Sequence, residues 1–363
     1  MDQLEVVRRR LVTQRLAGEP FDSVADAVGW LGAMQAQEFA EVKWSLGERL
    51  GGGTDADVEA AFSRGDMVRT HALRPTWHFL ARTDARWILR LTRQRVHALN
   101  AYWYRRADLD GALFSRADDV LRRILADGQP RTRTELAANL ATAGIEAEGP
   151  RLAYILMHAE LEELICNGPR RGCQHTYALF DDRVPRSAID DRSSESAFTE
   201  FVFRYFRSHG PATVRDFTAW SSLPVVETRR TLDRLADRLE SVADDAGTAW
   251  YSARSETRAA ATPARSRDAF LIPMYDETIV AYKDLRVVLA HTPPRADLIE
   301  RAIVIDGRTV GSWRRSLAPR SVVVEATLFG ELTDSQTEAL QAAVERFGRF
   351  LGVEASLQTT TVT

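Results

Sequence analysis

Two glutamines two positions apart are the residues whose type and spacing first raise a question of chemistry. Gln35 and Gln37 lie in the segment MQAQEF, between two stretches typical of helices. On an α-helix, side chains at this spacing point about 200° away from each other and cannot share a target. In an extended or kinked segment they point the same way. Because Gly29 and Gly32 precede them and Phe39 is typical of a helix start, we predict a helix-to-helix junction; an ordinary helix or loop is the alternative.

The amide group limits the chemistry that such a pair can perform. Glutamine is neutral and carries both hydrogen-bond donors and acceptors. It is not a strong general base, but it can orient a water molecule and bind a sugar or a phosphate. Such a pair suits a reaction whose leaving group is already activated.

Other reactive patterns are weak in this sequence. We find no serine triad, P-loop, nucleotide-binding glycine fingerprint or metal-ligand cluster. His71 and His78 lie seven positions apart in HALRPTWHF, across a predicted turn at Pro75, and each has either a structural or a functional role. Asp276 and Glu277 are the main carboxylates that could take a catalytic role in place of the glutamine motif.

Composition indicates a globular chain without a strong preference for a partner. The 363 residues are 45% hydrophobic and 27% charged, with a formal net charge of -3 and a pI of about 6.2. The N-terminus does not resemble a signal peptide, and no apolar run reaches the roughly 18 residues of a membrane span. We therefore expect a cytoplasmic protein. Lys43 and Lys283 are the only lysines, and arginine binds phosphates in a bidentate fork that lysine cannot make.

The elements around the glutamines repeat. A unit of two short helices, a longer helix and a hairpin occurs three times, which is the pattern of a winged helix. The predicted fold is mainly α with β hairpins (α+β): three tandem winged-helix units and a C-terminal β-barrel-like module. The predicted divisions are 1–82, a connecting basic helix at 83–112, then 113–186, 187–255 and 265–363, with a linker at 255–269.

The connecting helix carries several arginines and no acid. At helical spacing Arg86, Arg90, Arg93 and His97 share one face. This face is either solvated or in contact with phosphates; a membrane-surface helix is a poorer alternative.

Several motifs in order resemble the AlkZ/YcaQ-like bacterial DNA glycosylases of the winged-helix, helix-turn-helix 42 superfamily. They are QAQE, LRPTWH, GPRRGCQHTYALF, GPATVRDFTAWSSL, PMYDETIVAYKD and GRTVGSWRR. The resemblance covers nearly the whole chain and implies winged helices and a β-barrel around a concave DNA channel. The catalytic motif of this family is Gln-hydrophobic-Gln in the AlkZ branch. The resemblance therefore implies that Gln35 and Gln37 are catalytic.

The AlkZ branch is associated with removal of bulky N7-alkylated purines and unhooking of interstrand crosslinks, often as self-resistance in antibiotic producers. A cationic N7-alkylpurine departs with little acid help, so the two amides would hold a water against the anomeric carbon. Glu38 is a helix-start residue or a neighbour of the site. Tyr275 and Asp276 are further possible neighbours, and no cofactor or metal is expected.

The expected partner is damaged double-stranded DNA, bound by a monomer associated with the nucleoid. A basic hairpin in the second unit is predicted to reach a groove, with a solvated turn as the alternative. No acid is expected near its tip. The predicted DNA-contacting residues are Arg74, Thr76, His78, Arg131, Arg133, Arg170, Arg171, Gln174, His175, Arg215, Arg229, Arg230 and Lys283.

Two other functional classes remain open at this level. A winged-helix regulator without catalysis is the main alternative, although the chain lacks an evident dimerisation helix. An interaction scaffold whose arginines bind acidic partners is the other.

Overall fold

The computed structural model describes residues 2–187, 190, 192–254, 269–284 and 300–362. The described helices are α1 Gln3–Thr13, α2 Val24–Leu31, α3 Phe39–Gly47, α4 Asp55–Arg64, α5 Ala85–Arg106, α6 Gly111–Leu125, α7 Arg133–Thr142, α8 Gly149–Leu161, α9 Phe180–Arg183, α10 Ser194–His209, α11 Val214–Ser221, α12 Val225–Arg234, α13 Glu277–Val280 and α14 Asp334–Leu351. The described strands are β1 Met34–Gln35, β2 Met67–Ala72, β3 Thr76–Ala81, β4 Arg131–Thr132, β5 Ile165–Arg171, β6 Gln174–Leu179, β7 Leu239–Ala243, β8 Ala249–Ala253, β9 Ala269–Ile272, β10 Ala302–Ile305, β11 Arg308–Ala318, β12 Ser321–Leu328 and β13 Glu354–Thr361.

The chain divides into two compact units. The first comprises Met1–Glu59, Val202–Trp220 and Pro224–Thr363, and the second comprises Ala60–Phe201 and Ser221–Leu223. The five-part division stays a prediction. The predicted linker, except for Ala269, lies outside the described residues. Across the described ranges, no helix is long and apolar enough to cross a membrane.

The second unit contains the clearest winged-helix order. Helix α6, strand β4, helices α7 and α8 and the hairpin β5–β6 follow one another, and the strands pair in the order β4-β6-β5. Helix α7 begins with a capping box in which Thr132 and Glu135 satisfy each other's backbone N–H groups. Val120, Leu121 and Leu125 lie on one side of α6 and are buried in one hydrophobic cluster. The count of three winged-helix units stays a prediction.

The turn of the β5–β6 hairpin does not lie at the strongest turn sequence of this segment. The sequence Asn-Gly-Pro at 167–169 is typical of a turn, yet it lies inside β5 at an irregularity of the strand pairing. Arg171 pairs with Gln174, so the reversal is at Gly172 and Cys173. Gly172 has φ of 61°, which a glycine adopts without steric cost. The local signal therefore marks a bulge, and the true tip lies further along the chain.

The C-terminal strands of the first unit form an open sheet. Their order is β13-β12-β11-β10-β9, and the β12–β13 pair is parallel while the other pairs are antiparallel. Helix α14 connects the parallel pair and buries Leu340, Val344 and Phe347. A parallel pair requires such a crossover, which places the helix on one face of the sheet. The predicted barrel-like closure is therefore not found in the part of the chain that the structure describes.

Candidate active site

The segment that carries the two glutamines is a junction between helices, as predicted. Helix α2 ends at Leu31, and Gly32 follows with φ of 78° while its N–H bonds the carbonyl of Val28 at 2.9 Å. The chain is then extended through Met34 and Gln35, and α3 begins at Phe39. Neither glutamine lies on a helix, so the geometry that would separate their side chains does not apply.

The side chains of the junction become more exposed toward its C-terminal end. Gln35 is 9% exposed and Ala36 is fully buried, while Gln37 is half-buried and Glu38 is exposed. Glu38 occupies the N-cap position of α3 with extended backbone angles and makes no side-chain capping bond. Its position agrees with the helix-start interpretation. Of the two glutamines, Gln37 is the more accessible to water.

A buried carboxylate holds the backbone of the junction. Glu277, which begins α13, is fully buried, and its Oε1 accepts the backbone N–H of Gln35 at 2.9 Å. Its Oε2 accepts the indole N–H of Trp220 at 2.9 Å and lies 3.5 Å from Nε2 of His209. Both oxygens are occupied, so this carboxylate positions the main chain beside the amide pair.

A second layer of polar side chains supports Glu277. The amide of Gln14 donates to the backbone carbonyl of Glu277 at 3.2 Å and to the hydroxyl of Tyr282 at 2.9 Å. Tyr282 in turn donates to the carbonyl of His209 at 2.8 Å. Burial raises the pKa of Tyr282, so the phenol stays protonated and able to donate. Trp220, His209 and Gln14 had no local sequence signal and were missed.

Asp276, predicted as a neighbour of the site, is occupied elsewhere. Its oxygens accept hydrogen bonds from both terminal nitrogens of Arg49, at 2.7 and 3.0 Å, and from the backbone N–H of Thr278 at 2.8 Å. Burial raises the pKa of Asp276, but the charge and hydrogen bonds of Arg49 outweigh it and the net pKa is lowered. This carboxylate is an ionised structural partner. Tyr275 beside it is partly exposed, with φ of 64°.

The predicted DNA-contacting hairpin has an acidic neighbour. Arg171 at the tip pairs with Glu135 on α7 at 2.7 Å and donates to the carbonyl of Pro130 at 2.9 Å. The expectation of no nearby acid is wrong, because Glu135 is distant in sequence but pairs with Arg171 in the fold. The backbone N–H of Thr132 and then Arg171 lower the pKa of Glu135 to about 2. Gln174 is exposed at the tip.

Other predicted DNA contacts in the second unit vary in exposure. Arg170 and His175 are half-buried beside the same tip. Arg131 pairs with Asp127, and Arg133 donates to the carbonyl of Gly149 at 3.1 Å.

The β2–β3 turn carries three further predicted contacts. Arg74 and Thr76 are half-buried at this turn, whereas His78 is fully buried on β3. The Nδ1–H of His78 donates to the carbonyl of Thr76 at 2.9 Å. Its burial argues against direct contact with DNA, and we remove it from that set. His71 is also buried, in contact with Glu160, which agrees with a structural role.

In the first unit, three predicted contacts line one cavity. Arg215, Arg229 and Lys283 line a cavity of about 970 Å³ together with acidic residues that include Asp216 and Asp233. The charge of its wall is therefore mixed. Arg230 is exposed and lies 4.0 Å from Glu227 on the same helix.

The arginines on one face of α5 pair with acids of the same unit. Arg86 is 1% exposed, and it donates to Glu163 at 2.8 Å and to Asp181 at 2.7 Å. Arg90 also donates to Glu163, and Arg93 donates to Glu162. Both interpretations from the sequence are wrong for Arg86, which is buried among acids from a distant segment of the chain. Arg90 and Arg93 are partly exposed, so for them a solvated face or a phosphate contact stays a prediction.

A comparison with known families decides the membership of the chain. The model of the family described as AlkZ-like DNA glycosylases matches residues 28–350. The chain belongs to the AlkZ-like DNA glycosylase family. The match includes both junction glutamines, Glu277 and the basic hairpin.

Two similar proteins accompany this AlkZ-like match, both from Streptomyces sahachiroi. One is a curated protein named interstrand DNA cross-link repair glycosylase, which is 25% identical over 368 residues and 96% of each chain. The other is the solved structure of the DNA glycosylase AlkZ, with a TM-score of 0.80, 23% identity and complete coverage of both chains. The structural likeness supports the fold.

Proposed function

We propose that this AlkZ-like protein is a monofunctional DNA glycosylase that hydrolyses the N-glycosidic bond of cationic N7-alkylated purines in duplex DNA. The observation that carries the proposal is the non-helical Gln35-Ala36-Gln37 junction, held at Gln35 by a buried carboxylate. A family of DNA glycosylases supplies the reaction class.

The amide pair suits a reaction in which the leaving group is already charged. Alkylation at N7 makes the purine cationic, so the C1′–N9 bond breaks with its electron pair moving to the base. The sugar develops oxocarbenium character, and a water oxygen forms the new bond to C1′ and then loses a proton to solvent. Gln35 and Gln37 place that water by orientation.

The carboxylates of the region support the restriction to cationic bases. A neutral base needs protonation or a strong general base in order to leave. Both oxygens of Glu277 accept hydrogen bonds, and Asp276 is bound to Arg49. Glu38 is exposed beside the pair and is the remaining acid of the motif. The catalytic set is therefore Gln35 and Gln37, with Glu38 and Tyr275 as neighbours.

The natural lesion is proposed from the relative. Because the curated relative is named an interstrand DNA cross-link repair glycosylase, we extend the proposed substrates to bulky adducts and crosslinks. Self-resistance to a genotoxic natural product is the corresponding biological role. The partner is damaged duplex DNA, bound by a monomer in the cytoplasm at the nucleoid.

Residues of each unit are proposed to contact the duplex. In the second unit they lie at the tip of the β5–β6 hairpin and at further positions: Arg170, Arg171, Gln174 and His175, with Arg74, Thr76, Arg131 and Arg133. In the first unit they are Arg215, Arg229, Arg230 and Lys283.

The charge of the base provides the test of this function. The purified protein is incubated with duplexes that carry either N7-methylguanine or the neutral purine hypoxanthine, and abasic sites are scored. We expect excision of N7-methylguanine and none of hypoxanthine. Equal excision of both would contradict the mechanism, and tight sequence-specific binding without excision would favour the regulator.

A further inference from the structure

Three potential metal ligands from two distant segments of the chain meet in the second unit. His97 lies on α5, His158 lies on α8, and Glu162 directly follows that helix. One nitrogen of each imidazole and one carboxylate oxygen of Glu162 all lie within 4.8 Å of one another. His158 and Glu162 are four positions apart, a spacing that places side chains on one face of a helix. The cluster did not stand out in the sequence because His97 belongs to another segment.

The distances are close to those of a tetrahedral zinc site. Zinc binds imidazole nitrogen and carboxylate oxygen at about 2.0–2.2 Å, so its ligand atoms lie roughly 3.3 Å apart. Here Nε2 of His97 lies 2.9 Å from Oε1 of Glu162, and no pair of the three ligand atoms exceeds 4.8 Å. A shift on the order of 1 Å would complete the geometry.

Neighbouring rings hold both histidines in place. Nδ1 of His97 is 3.1 Å from the hydroxyl of Tyr104, which leaves its Nε2 toward Glu162. Such an outer hydrogen bond fixes the orientation of a metal-binding imidazole. The ring of His158 stacks on Phe114 at 3.8 Å with an interplanar angle of 6°.

Two of the three side chains are partly exposed to solvent. The side chain of Glu162 is 37% exposed and that of His97 is 22% exposed. Arg93 donates to Oε2 of Glu162, which leaves Oε1 as the oxygen directed at His97. Nδ1 of His158 is buried and has no hydrogen-bond partner within the described residues. Buried polar atoms of this kind are rare and call for a partner.

We propose that His97, His158 and Glu162 bind one Zn²⁺ ion, with water as the fourth ligand. Two imidazoles favour zinc over Mg²⁺ or Ca²⁺, which prefer all-oxygen ligands. The ion ties α5 to the C-terminal end of α8 within the second unit. The site shares no residue with the proposed glycosylase reaction.

Calorimetry on the full-length, tag-free protein, stripped with a chelator, tests the site. Zn²⁺ should bind with a stoichiometry of one per chain, and Mg²⁺ should not compete. His97→Gln and Glu162→Gln should each weaken zinc binding at least tenfold. Glu146→Gln, at an exposed position in the same unit, is the matched control and should leave binding unchanged.

Two results would overturn the proposal. One is the absence of saturable one-to-one Zn²⁺ binding to the native chain, and the other is binding that neither variant weakens. If a variant fails to fold, Co²⁺ absorption of the native protein decides instead. Intense d–d bands of a tetrahedral ion support the site, and the weak spectrum of an octahedral ion contradicts it.

Discussion

Glu277 is the residue on which the position of the junction most directly depends. In Glu277→Gln one carboxylate oxygen becomes an amide NH₂, which would face either the N–H of Gln35 or the indole N–H of Trp220. Two donors cannot bond each other, so a buried group loses its partner at a cost of about 1–3 kcal/mol in the free energy of unfolding. We expect the single-turnover rate on N7-methylguanine DNA to fall about tenfold or more, with DNA affinity little changed, because misplaced amides orient water poorly.

A second buried carboxylate of the same unit separates this effect from general destabilisation. Glu48 accepts the backbone N–H of Leu271 at 2.9 Å and pairs with Arg346. Glu48→Gln should lower stability as well but leave the single-turnover rate near that of the native protein. Equal loss of rate in both variants would show that Glu277 acts only through stability.

His78 should make the stability of the protein depend on pH. Burial lowers the pKa of His78 well below 6.5, and the positive charge of Arg74 lowers it further, while the bond to Thr76 opposes the shift. Below a pH of about 6.5 the imidazole of His78 binds a proton in the unfolded chain but not in the folded protein. The contribution of His78 to stability is therefore complete above that pH and is lost as the pH falls toward the pKa of the folded state. The loss is up to about 1.4 kcal/mol per pH unit.

Urea unfolding of the native protein and of His78→Gln between pH 7.5 and 5.5 measures this loss. The substitution removes the imidazole, so the stability difference between the two proteins should shrink as the pH falls. Parallel stability curves over this range would contradict a neutral buried His78.

At the scale of elements, arginines on helix α5 and on the hairpin β5–β6 differ in their proposed roles. Arg90 and Arg93 of α5 donate to acids of their own unit, as Arg171 of the hairpin does to Glu135. Arg170 lies half-buried beside the exposed hairpin tip and is proposed to contact DNA. Arg170→Gln should therefore weaken binding to duplex DNA uniformly across sequences and reduce the slope of log affinity against log salt by about 1.

Arg90→Gln is the matched control for the hairpin, because it removes an arginine of the same unit that is paired with Glu163. Fluorescence anisotropy at several salt concentrations should show an unchanged slope for this variant. A larger change of slope for Arg90→Gln than for Arg170→Gln would reverse the assignment of the two elements.

Local patterns predicted the elements better than their partners. Glycines beside the amide pair indicated the junction, because this signal depends on neighbours in sequence. The Asn-Gly-Pro segment does not mark the turn of β5–β6, because such a segment fits a strand bulge as well as a turn. The acids that pair with α5 were not predictable, since they lie on segments distant from it in sequence.

At the scale of the whole molecule, the sequence predicted a mixture of helices and hairpins and the family, but not how the C-terminal strands close. Strand-like segments followed by a helix are compatible with a barrel or an open sheet. The parallel pairing of β12 with β13 decides for the open sheet in the described residues, and local periodicity does not encode such long-range pairing. Of the candidate site, the two glutamines and Glu277 were visible, while Trp220 and His209 required the fold.

The central claim is that Gln35 and Gln37 together place the attacking water. The most direct test is the single-turnover rate of N7-methylguanine release from duplex DNA by the native protein, Gln35→Ala, Gln37→Ala and the control Gln129→Ala, an exposed glutamine elsewhere. We expect each junction variant to lose about 10²-fold in rate with unchanged DNA affinity, the double variant to lose little more, and the control to match the native protein. Native rates in either Gln35→Ala or Gln37→Ala would contradict the account.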